Sequence, residues 1–494
     1  MAWPMDTLVF SRDRLLARAA VLLLLAALPL AAHIGSPDIF YEGAAGPYHL
    51  LVTIRPPQVI PGVAEIEIRS TSADVRQIRI VPLRLTRAQQ FAPVPDLARP
   101  SPEDPQFFSC SLWLMATGSW QVRVMVDGAR GPATLSVPVP AVATQLMGMD
   151  KAMAALLALL GLLLAGGIVS IAGASVREGP LAPGEHPDRA RRSRSRIAMA
   201  AAALIVGLAA YLGNQWWSTE DSVSRRLVFK PLQLDASLIS GSRLALDLHD
   251  PGWLGRRTDD LLPDHGHLMH LYVIRWPEMD GVLHLHPERG DSGRFLQQLP
   301  DMPAGRYKLY GDIVHANGLA ETAAGSIDLS AISGRPLTGD DAAADAPPRS
   351  KADYNRNVAA LEGGGRMVWE RGSAPLRARK PYQFRFRVVD AGGQPVRDMQ
   401  LYMGMLGHAA FVSPDGTVFA HVHPSGSVPM PALQLTQPEN PHAGPMMMNM
   451  SPEALPAAVS FPYGFPKPGP YRIFVQIKHG GTIETGVFDT QVEN

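Results

Sequence analysis

The sequence predicts a mainly β protein whose β-sandwich domains lie outside a membrane that two or three α-helices cross. Short runs of alternating or β-branched residues between Pro and Gly, such as Tyr48 to Arg55 and Tyr382 to Val389, are typical of antiparallel sandwiches. Two long uncharged apolar stretches interrupt these runs. Charged residues make up 18% of the 494 residues and hydrophobic residues 46%, which fits soluble domains joined to membrane segments.

The amino-terminal segment, residues 1–32, is predicted to be a signal peptide or an uncleaved membrane anchor. Basic residues from Arg12 to Arg18 precede a short apolar run that ends at Ala32, which is the pattern of an export signal. Cleavage after Ala32 would make His33 the amino terminus. Its α-amine and imidazole would then form a chelating pair for Cu(II).

Two further stretches, residues 152–176 and 197–217, are each long and apolar enough to cross a bilayer as a helix, which needs about 20 residues. The hinge between them, residues 177–196, holds six arginines against three acidic residues, and such an excess of positive charge marks a cytoplasmic loop. The segments before and after the two helices then lie on the other side. In a bacterium this places the chain in the inner membrane and its β-domains in the periplasm.

Composition divides the exported parts into three β-domains, at residues 33–148, 225–332 and 366–492. Residues 333–364 are rich in small, polar and turn-forming residues and are predicted to be a linker. The single cysteine, Cys110, excludes a disulfide within the chain and a clustered thiolate site. Any bound metal must therefore use His, Met, carboxylate or backbone ligands. The net charge of zero gives no reason to expect a nucleic-acid partner.

The second and third β-domains resemble each other, which predicts an internal duplication. The eight-residue spacing from Tyr307 to His315 recurs from Tyr471 to His479, while the intervening loops differ in length. The matched histidines are His270 with His408, His284 with His421, His286 with His423, and His315 with His479.

Each of these two domains has a His-x-His pair in a predicted strand. Because residues two apart point to the same face of a strand, His284 and His286 project together while Leu283 and Leu285 enter the core. We therefore expect one metal site in each domain. The expected ligands are His265, His267, His270, His284, His286 and His315 in the second domain, and Met403, Met405, His408, His421, His423 and His479 in the third.

At matched offsets before the first strand histidine, the two domains exchange His for Met. His265 and His267 of the second domain correspond to Met403 and Met405 of the third. Imidazole binds copper, zinc and nickel, with copper the strongest, whereas thioether selects Cu(I). Copper is therefore the predicted metal, zinc is the alternative, and the third domain is expected to favour Cu(I). The methionine cluster from Met446 to Met450 is a candidate copper-scavenging loop or apolar lid.

The first β-domain contains His-Ile-Gly-Ser-Pro-Asp, then Gly-Pro-Tyr and Pro-Pro-Gln-Val-Ile-Pro-Gly, and in these motifs it resembles the YtkA-like and FixH-like periplasmic domains. Those domains share an immunoglobulin-like sandwich with small copper-binding proteins. The HLHPE and HVHP segments of the other domains resemble motifs of secreted or membrane-anchored bacterial proteins associated with copper handling. The resemblance implies immunoglobulin-like β-sandwich domains with a non-enzymatic metal-handling or assembly role.

Together these features predict a membrane-anchored periplasmic protein that captures copper or delivers it to a copper-receiving or assembly partner protein. The alternative is an immunoglobulin-like scaffold of a membrane complex that holds no transferable metal. An enzyme is not predicted, because the sequence has no HExxH motif, phosphate loop, nucleophile elbow or paired catalytic carboxylates. The enzyme alternative is a copper oxidase, or a zinc hydrolase with His ligands and an acid such as Asp264 or Glu288.

Overall fold

The computed structural model of the protein describes residues 37–85, 92–179, 181–182, 184–354, 356–436 and 455–494. Within these residues the chain is mainly β, and two long helices separate the first β-domain from the other two. The predicted leader, His33 and the methionine cluster from Met446 to Met450 lie outside the described residues.

The first β-domain consists of eight strands. They are β1 Ile39–Ala45, β2 Tyr48–Arg55, β3 Gly62–Ser70, β4 Val75–Arg84, β5 Asp96–Pro100, β6 Phe107–Leu114, β7 Gly118–Gly128 and β8 Ala133–Ala141. They form one curled antiparallel sheet in the order β1-β2-β3-β6-β5-β4-β7-β8. Alternate side chains from both halves of the sheet, such as Leu50, Ile66, Ile80 and Val124, meet in one core.

Helices α1 (Lys151–Glu178) and α2 (Arg189–Leu227) are, by length and composition, apolar enough to cross a membrane, and the rest of the protein does not bury their apolar windows. The Ser195 hydroxyl donates to the carbonyl of Gly173 at 2.7 Å and joins the two helices. The predicted hinge at 177–196 is shorter than expected. Asp188 caps α2 by accepting from the N–H of Arg191, and arginine is a good helix former, so the following arginines extend the helix.

The second β-domain consists of ten strands. They are β9 Gln233–Ile239, β10 Arg243–His249, β11 Leu261–Leu262, β12 His270–Trp276, β13 Gly281–Leu285, β14 Glu288–Arg289, β15 Phe295–Gln298, β16 Gly305–His315, β17 Ala320–Leu329 and β18 Ala342–Asp345. The sheet order is β14-β15-β10-β9-β17-β16-β12-β13-β18, with β11 on β16. Strand β18 lies inside the predicted linker at 333–364 and pairs with β13. Its alanines have weak strand propensity, so this strand has no clear pattern in the sequence.

The third β-domain has two sheets facing one core. Its elements are β19 Val358–Ala360, β20 Arg366–Trp369, β21 Leu376–Arg377, β22 Tyr382–Val389, β23 Met399–Gln400, β24 His408–Val412, β25 Phe419–Val422, α3 Met430–Leu435, β26 Ala458–Tyr463, β27 Gly469–His479 and β28 Thr482–Glu493. One sheet has the order β19-β20-β22-β26 and the other β21-β28-β27-β24-β25, with β23 on β27. Trp369, Phe386, Phe411 and Phe488 fill the space between them.

The second and third domains pack against each other through the sheet faces that point away from their own cores. Tyr310 of β16 stacks on Phe419 of β25 with ring centroids 4.4 Å apart. Buried Arg472 makes two charged hydrogen bonds to Asp489 and donates across the interface to the carbonyl of Met279 at 2.6 Å. The interface is therefore a continuous buried layer.

Arg472→Ala is expected to destabilise this interface by about 3–5 kcal/mol, because Asp489 would keep a buried charge without its partner. Arg306→Ala is the matched control, because its partner Asp328 is exposed and water replaces the lost ion pair at little cost. Chemical denaturation of the full chain, followed by tryptophan fluorescence, measures both. Equal losses in the two variants would contradict the assignment of Arg472 to the interface.

Candidate metal centre

Buried histidines of the second and third domains meet at one end of their interface. The ring centroids of His270 and His421 are 5.3 Å apart, and those of His284 and His408 are 5.9 Å apart. The expectation of one independent site in each domain does not match this arrangement. The cluster contains His265, His267, His270, His284 and His286 of the second domain and His408, His421 and His423 of the third.

Strand alternation explains why these side chains converge. In β12, Leu271 and Val273 enter the domain's core, so His270 and Tyr272 point to the opposite face, which is the interface with the third domain. His284 lies opposite Tyr272 in the register of β12 and β13 and shares that face. The predicted common orientation of the His-x-His residues agrees with this placement.

The first group of ligand atoms comes from His270, His284 and His286, all buried. Each of these residues offers a ring nitrogen, and the three nitrogens lie within 4.8 Å of one another. The Nδ1 atom of His270 is 3.2 Å from the Nε2 atom of His284. Two imidazole nitrogens at this separation fit one shared metal ion.

The second ring nitrogen of each of these histidines contacts a hydrogen-bond acceptor. His270 Nε2 donates to the carbonyl oxygen of Asp264 at 3.0 Å, and His284 Nδ1 donates to Oε1 of Gln476 at 2.8 Å. His286 Nδ1 donates to the Asp341 carboxylate at 3.0 Å. A neutral imidazole carries one proton, so the remaining nitrogens present lone pairs to one another. A cation between them removes the resulting repulsion, as in metal sites whose ligands are oriented by outer hydrogen bonds.

The second group combines both domains, because His265 joins His408 and His423, and their ligand atoms also lie within 4.8 Å of one another. The His265 ring is 5.0 Å from that of His423 and 5.6 Å from that of His408. Among the described residues, neither ring nitrogen of His408 or His423 has a hydrogen-bond partner. Buried polar atoms without partners are costly, which makes these nitrogens candidate ligand atoms.

The turns that precede β12 and β24 have the same conformation and both reach across the interface. His265 and Met403 have positive φ values of 50° and 49°, each followed by a glycine, Gly266 or Gly404, that is also left-handed. From the third domain's turn, the Tyr402 hydroxyl lies 3.3 Å from Nδ1 of His284 in the second domain. Met403 follows Tyr402 directly and is buried, whereas Met405 is half-buried. Each turn thus contacts histidines of the other domain.

His267 lies at the edge of the first group. Its ring centroid is 4.1 Å from that of His286, and its Nε2 atom is 3.4 Å from the Asp340 carboxylate. Its side chain remains partly exposed. It is thus placed as a peripheral ligand or as a partner that orients His286.

His315 and His479 are not part of the cluster, although they occupy equivalent strand ends. His315 shares the core-facing side of β16 with Ile313, and its Nδ1 atom lies 3.0 Å from the Asp260 carboxylate. His479 shares the core-facing side of β27 with Ile477 and contacts Glu484. Both histidines therefore point away from the interface, and the prediction that they complete the sites does not fit their positions.

The buried histidines are held in the neutral form that binds metal. Burial lowers the pKa of His286 and lowers the pKa of His265 to about 4, and neighbouring imidazoles add to both effects. The same causes hold four further pKa values well below the ordinary range, those of His270, His284, His408 and His423. These six histidines can therefore bind a cation without first releasing protons.

Several residues around the cluster were absent from the sequence-based set. Tyr402 and Gln476 contact His284, while Asp340 and Asp341 of the predicted linker contact His267 and His286. Asp312 lies 3.3 Å from Nδ1 of His421. Only Asp312 and Gln476 among them could have been found from the sequence, because they occupy equivalent positions of β16 and β27.

The profile of a domain of unknown function (DUF8832) matches residues 362–494, which is the third domain. No curated protein is significantly similar to the chain in sequence.

Among solved structures, alpha-2-macroglobulin of Salmonella reacted with methylamine is 8% identical with a TM-score of 0.20, over 94% of this chain and 24% of that one. Latent PorU from Porphyromonas gingivalis is 9% identical with a TM-score of 0.13, over 92% and 34% of the two chains. A membrane anchored protein from Corynebacterium diphtheriae is 7% identical with a TM-score of 0.15, over 93% and 96%. The chain thus spans about a quarter to a third of the first two structures.

Proposed function

We propose that this protein binds copper in the histidine cluster between its second and third domains and captures or delivers that copper at the outer face of a bacterial inner membrane. The observation that carries the proposal is the orientation of His270, His284 and His286. Their outer nitrogens donate to acceptors, and their inner nitrogens face one another. This arrangement gains stability from a bound cation and has no comparable benefit for packing alone.

The donor set favours copper. Neutral imidazole binds divalent copper more strongly than zinc or nickel, and the buried thioether of Met403 adds a ligand type that suits Cu(I). A cluster with both ligand types tolerates either oxidation state. Zinc is the alternative metal for the imidazole groups alone.

The position of the two groups fits capture and transfer. The rings of His270 and His408, one from each group, have centroids 6.5 Å apart, so an ion moves a short distance between them. Imidazole and thioether ligands exchange more readily than clustered thiolates, which this chain lacks. A copper-receiving or assembly protein is the partner that such a site serves.

The membrane location rests on the two long apolar helices and on the arginines between them. An export signal at residues 1–32 and the resemblance of the first domain to YtkA-like and FixH-like domains support a periplasmic placement of the three β-domains. Immunoglobulin-like sandwiches, formed by duplication in the case of the second and third domains, are the finer fold assignment that we infer. The chain is then a copper-binding module anchored beside its partner.

Elemental analysis of the full chain, purified in detergent and supplied with copper, tests this proposal. We expect close to two copper equivalents per chain and none tightly held after His270, His284, His408 and His423 are all replaced by Ala. The control is His49→Ala with His249→Ala, which changes exposed histidines outside the cluster. A wild-type chain that retains no metal would favour the scaffold alternative.

A further inference from the structure

A cavity of about 190 Å³ lies where the three β-domains meet, beside the histidine cluster. The first domain contributes Thr144 to its wall, the second contributes Asp312 and Ala320, and the third contributes His421 and His423. All three domains therefore line the cavity, and two histidines of the cluster form part of its wall.

His421 belongs to neither of the two ligand groups and lies between them. Its ring centroid is 5.4 Å from that of His284 in the first group and 4.6 Å from that of His423 in the second. Its Nδ1 atom faces the Asp312 carboxylate at 3.3 Å, while its Nε2 atom is buried without a hydrogen-bond partner among the described residues. The carboxylate favours the proton on Nδ1 and leaves the Nε2 lone pair for a cation.

The first domain holds the loop that carries His423. The N–H of Glu42 donates to Ser425, and the N–H of Ser427 donates to Phe40, at 2.8 and 2.9 Å. Gly426 between them has a φ of 120°, and a Cβ atom there would lie 2.0 Å from the carbonyl oxygen of Phe40. The first domain is thus fitted closely against one edge of the metal centre.

We propose that this cavity is the passage through which a copper ion moves between solution and the histidine groups, and that the Asp312–His421 pair is the first binding position it meets. The inference rests on the proposed copper function. The carboxylate attracts the incoming cation and orients His421, whose free nitrogen takes the ion and passes it to either group. The step exchanges one imidazole ligand of the ion for another, so it needs no change of oxidation state. The first domain then controls access to copper that the other two domains hold.

Filling the cavity from two different walls tests the passage. Thr144→Trp and Ala320→Trp place a large ring in it from the first and second domains, so a folding defect in one variant leaves the other to decide. Thr144→Ala and the exposed Thr134→Trp are the controls. Stopped-flow absorbance after mixing the full chain with Cu(II) measures uptake, and elemental analysis measures the final copper content.

We expect both filled variants to take up copper at least about tenfold more slowly than the wild type and to reach the same final content. Asp312→Asn is also expected to slow uptake, whereas the exposed Asp291→Asn is not. Wild-type uptake rates in both filled variants, with full content, would overturn the passage. Lack of copper in the wild-type chain would instead overturn the proposed function, because the final content is independent of the route.

Discussion

Replacing His265 by Ala is expected to weaken copper binding at the third domain's histidines, although His265 belongs to the second domain. His265 forms a candidate ligand group with His408 and His423, and it is the member of that group that the second domain supplies. Loss of one ligand from a group of three should lower its affinity by about 100-fold or more, since even the loss of an outer hydrogen-bond partner costs about 10- to 100-fold. At a copper concentration that just fills both groups of the wild type, the variant should then retain about one of the two expected copper equivalents.

A double-mutant cycle with His408→Ala identifies the shared group. If both histidines bind the same ion, His265→Ala with His408→Ala should be little worse than either single change, because the site is already broken. His270→Ala with His408→Ala is the comparison, since these residues belong to different groups and their losses should be closer to additive. Competition with a chelator measures the copper affinities of the wild type, the single variants and the double variants, and their differences give the coupling between each pair of histidines. Additive losses for the first pair would place His265 outside the group of His408.

The sequence carried enough information for the β-rich class, the two apolar helices and the shared direction of the His-x-His residues. Alternation correctly assigned Leu283 and Leu285 of β13 to the core, which they share with Leu271 and Val273 of the neighbouring strand β12. What remained unassigned was the opposite face of β12, where Tyr272 and Ile274 are also apolar and buried. A strand that is apolar on both sides requires cover on both sides. That pattern indicated a second layer against the histidine face, but not which part of the chain supplies it.

The misplacement of His315 and His479 has a different cause. Each lies eight residues after a tyrosine, Tyr307 or Tyr471, and an even spacing in a strand returns to the same face. Both tyrosines are core residues, so the same spacing that matched the two domains also placed these histidines on the core side. A matched position in two similar domains indicates a shared structural role at least as well as a shared ligand.

The contacts from Asp340 and Asp341 were beyond the reach of sequence. These residues precede a strand of alanines that has weak β propensity, within a segment of linker-like composition. Only the pairing of β18 with β13 brings them to His267 and His286. Long-range pairing of this kind leaves no local pattern.

Met403→Leu is expected to weaken Cu(I) binding by the second domain's group, His270, His284 and His286, by about tenfold or more, with less effect on Cu(II). The preceding residue, Tyr402, contacts His284 across the interface, and the matching turn of the second domain sends His265 to the third domain's histidines. By the equivalence of the two turns, we expect Met403 to serve the second domain's group. This differs from the sequence-based expectation that both methionines give the third domain its own preference for Cu(I).

The measurement is made in a chain that already carries His408→Ala and His423→Ala, so that only the second domain's group binds. X-ray absorption of the Cu(I) form should then show a sulfur ligand that Met403→Leu removes and Met405→Leu retains. Leucine has nearly the volume of methionine, so packing is largely preserved. Met367→Leu, in the core of the third domain, controls for general effects of the exchange.

Because thioether needs no deprotonation, the parent should also lose less Cu(I) affinity in acid than the leucine variant. A sulfur signal that survives Met403→Leu but disappears in Met405→Leu would identify Met405 as the ligand instead of Met403. A parent without a sulfur signal would mean that the third domain's turn gives this group no ligand.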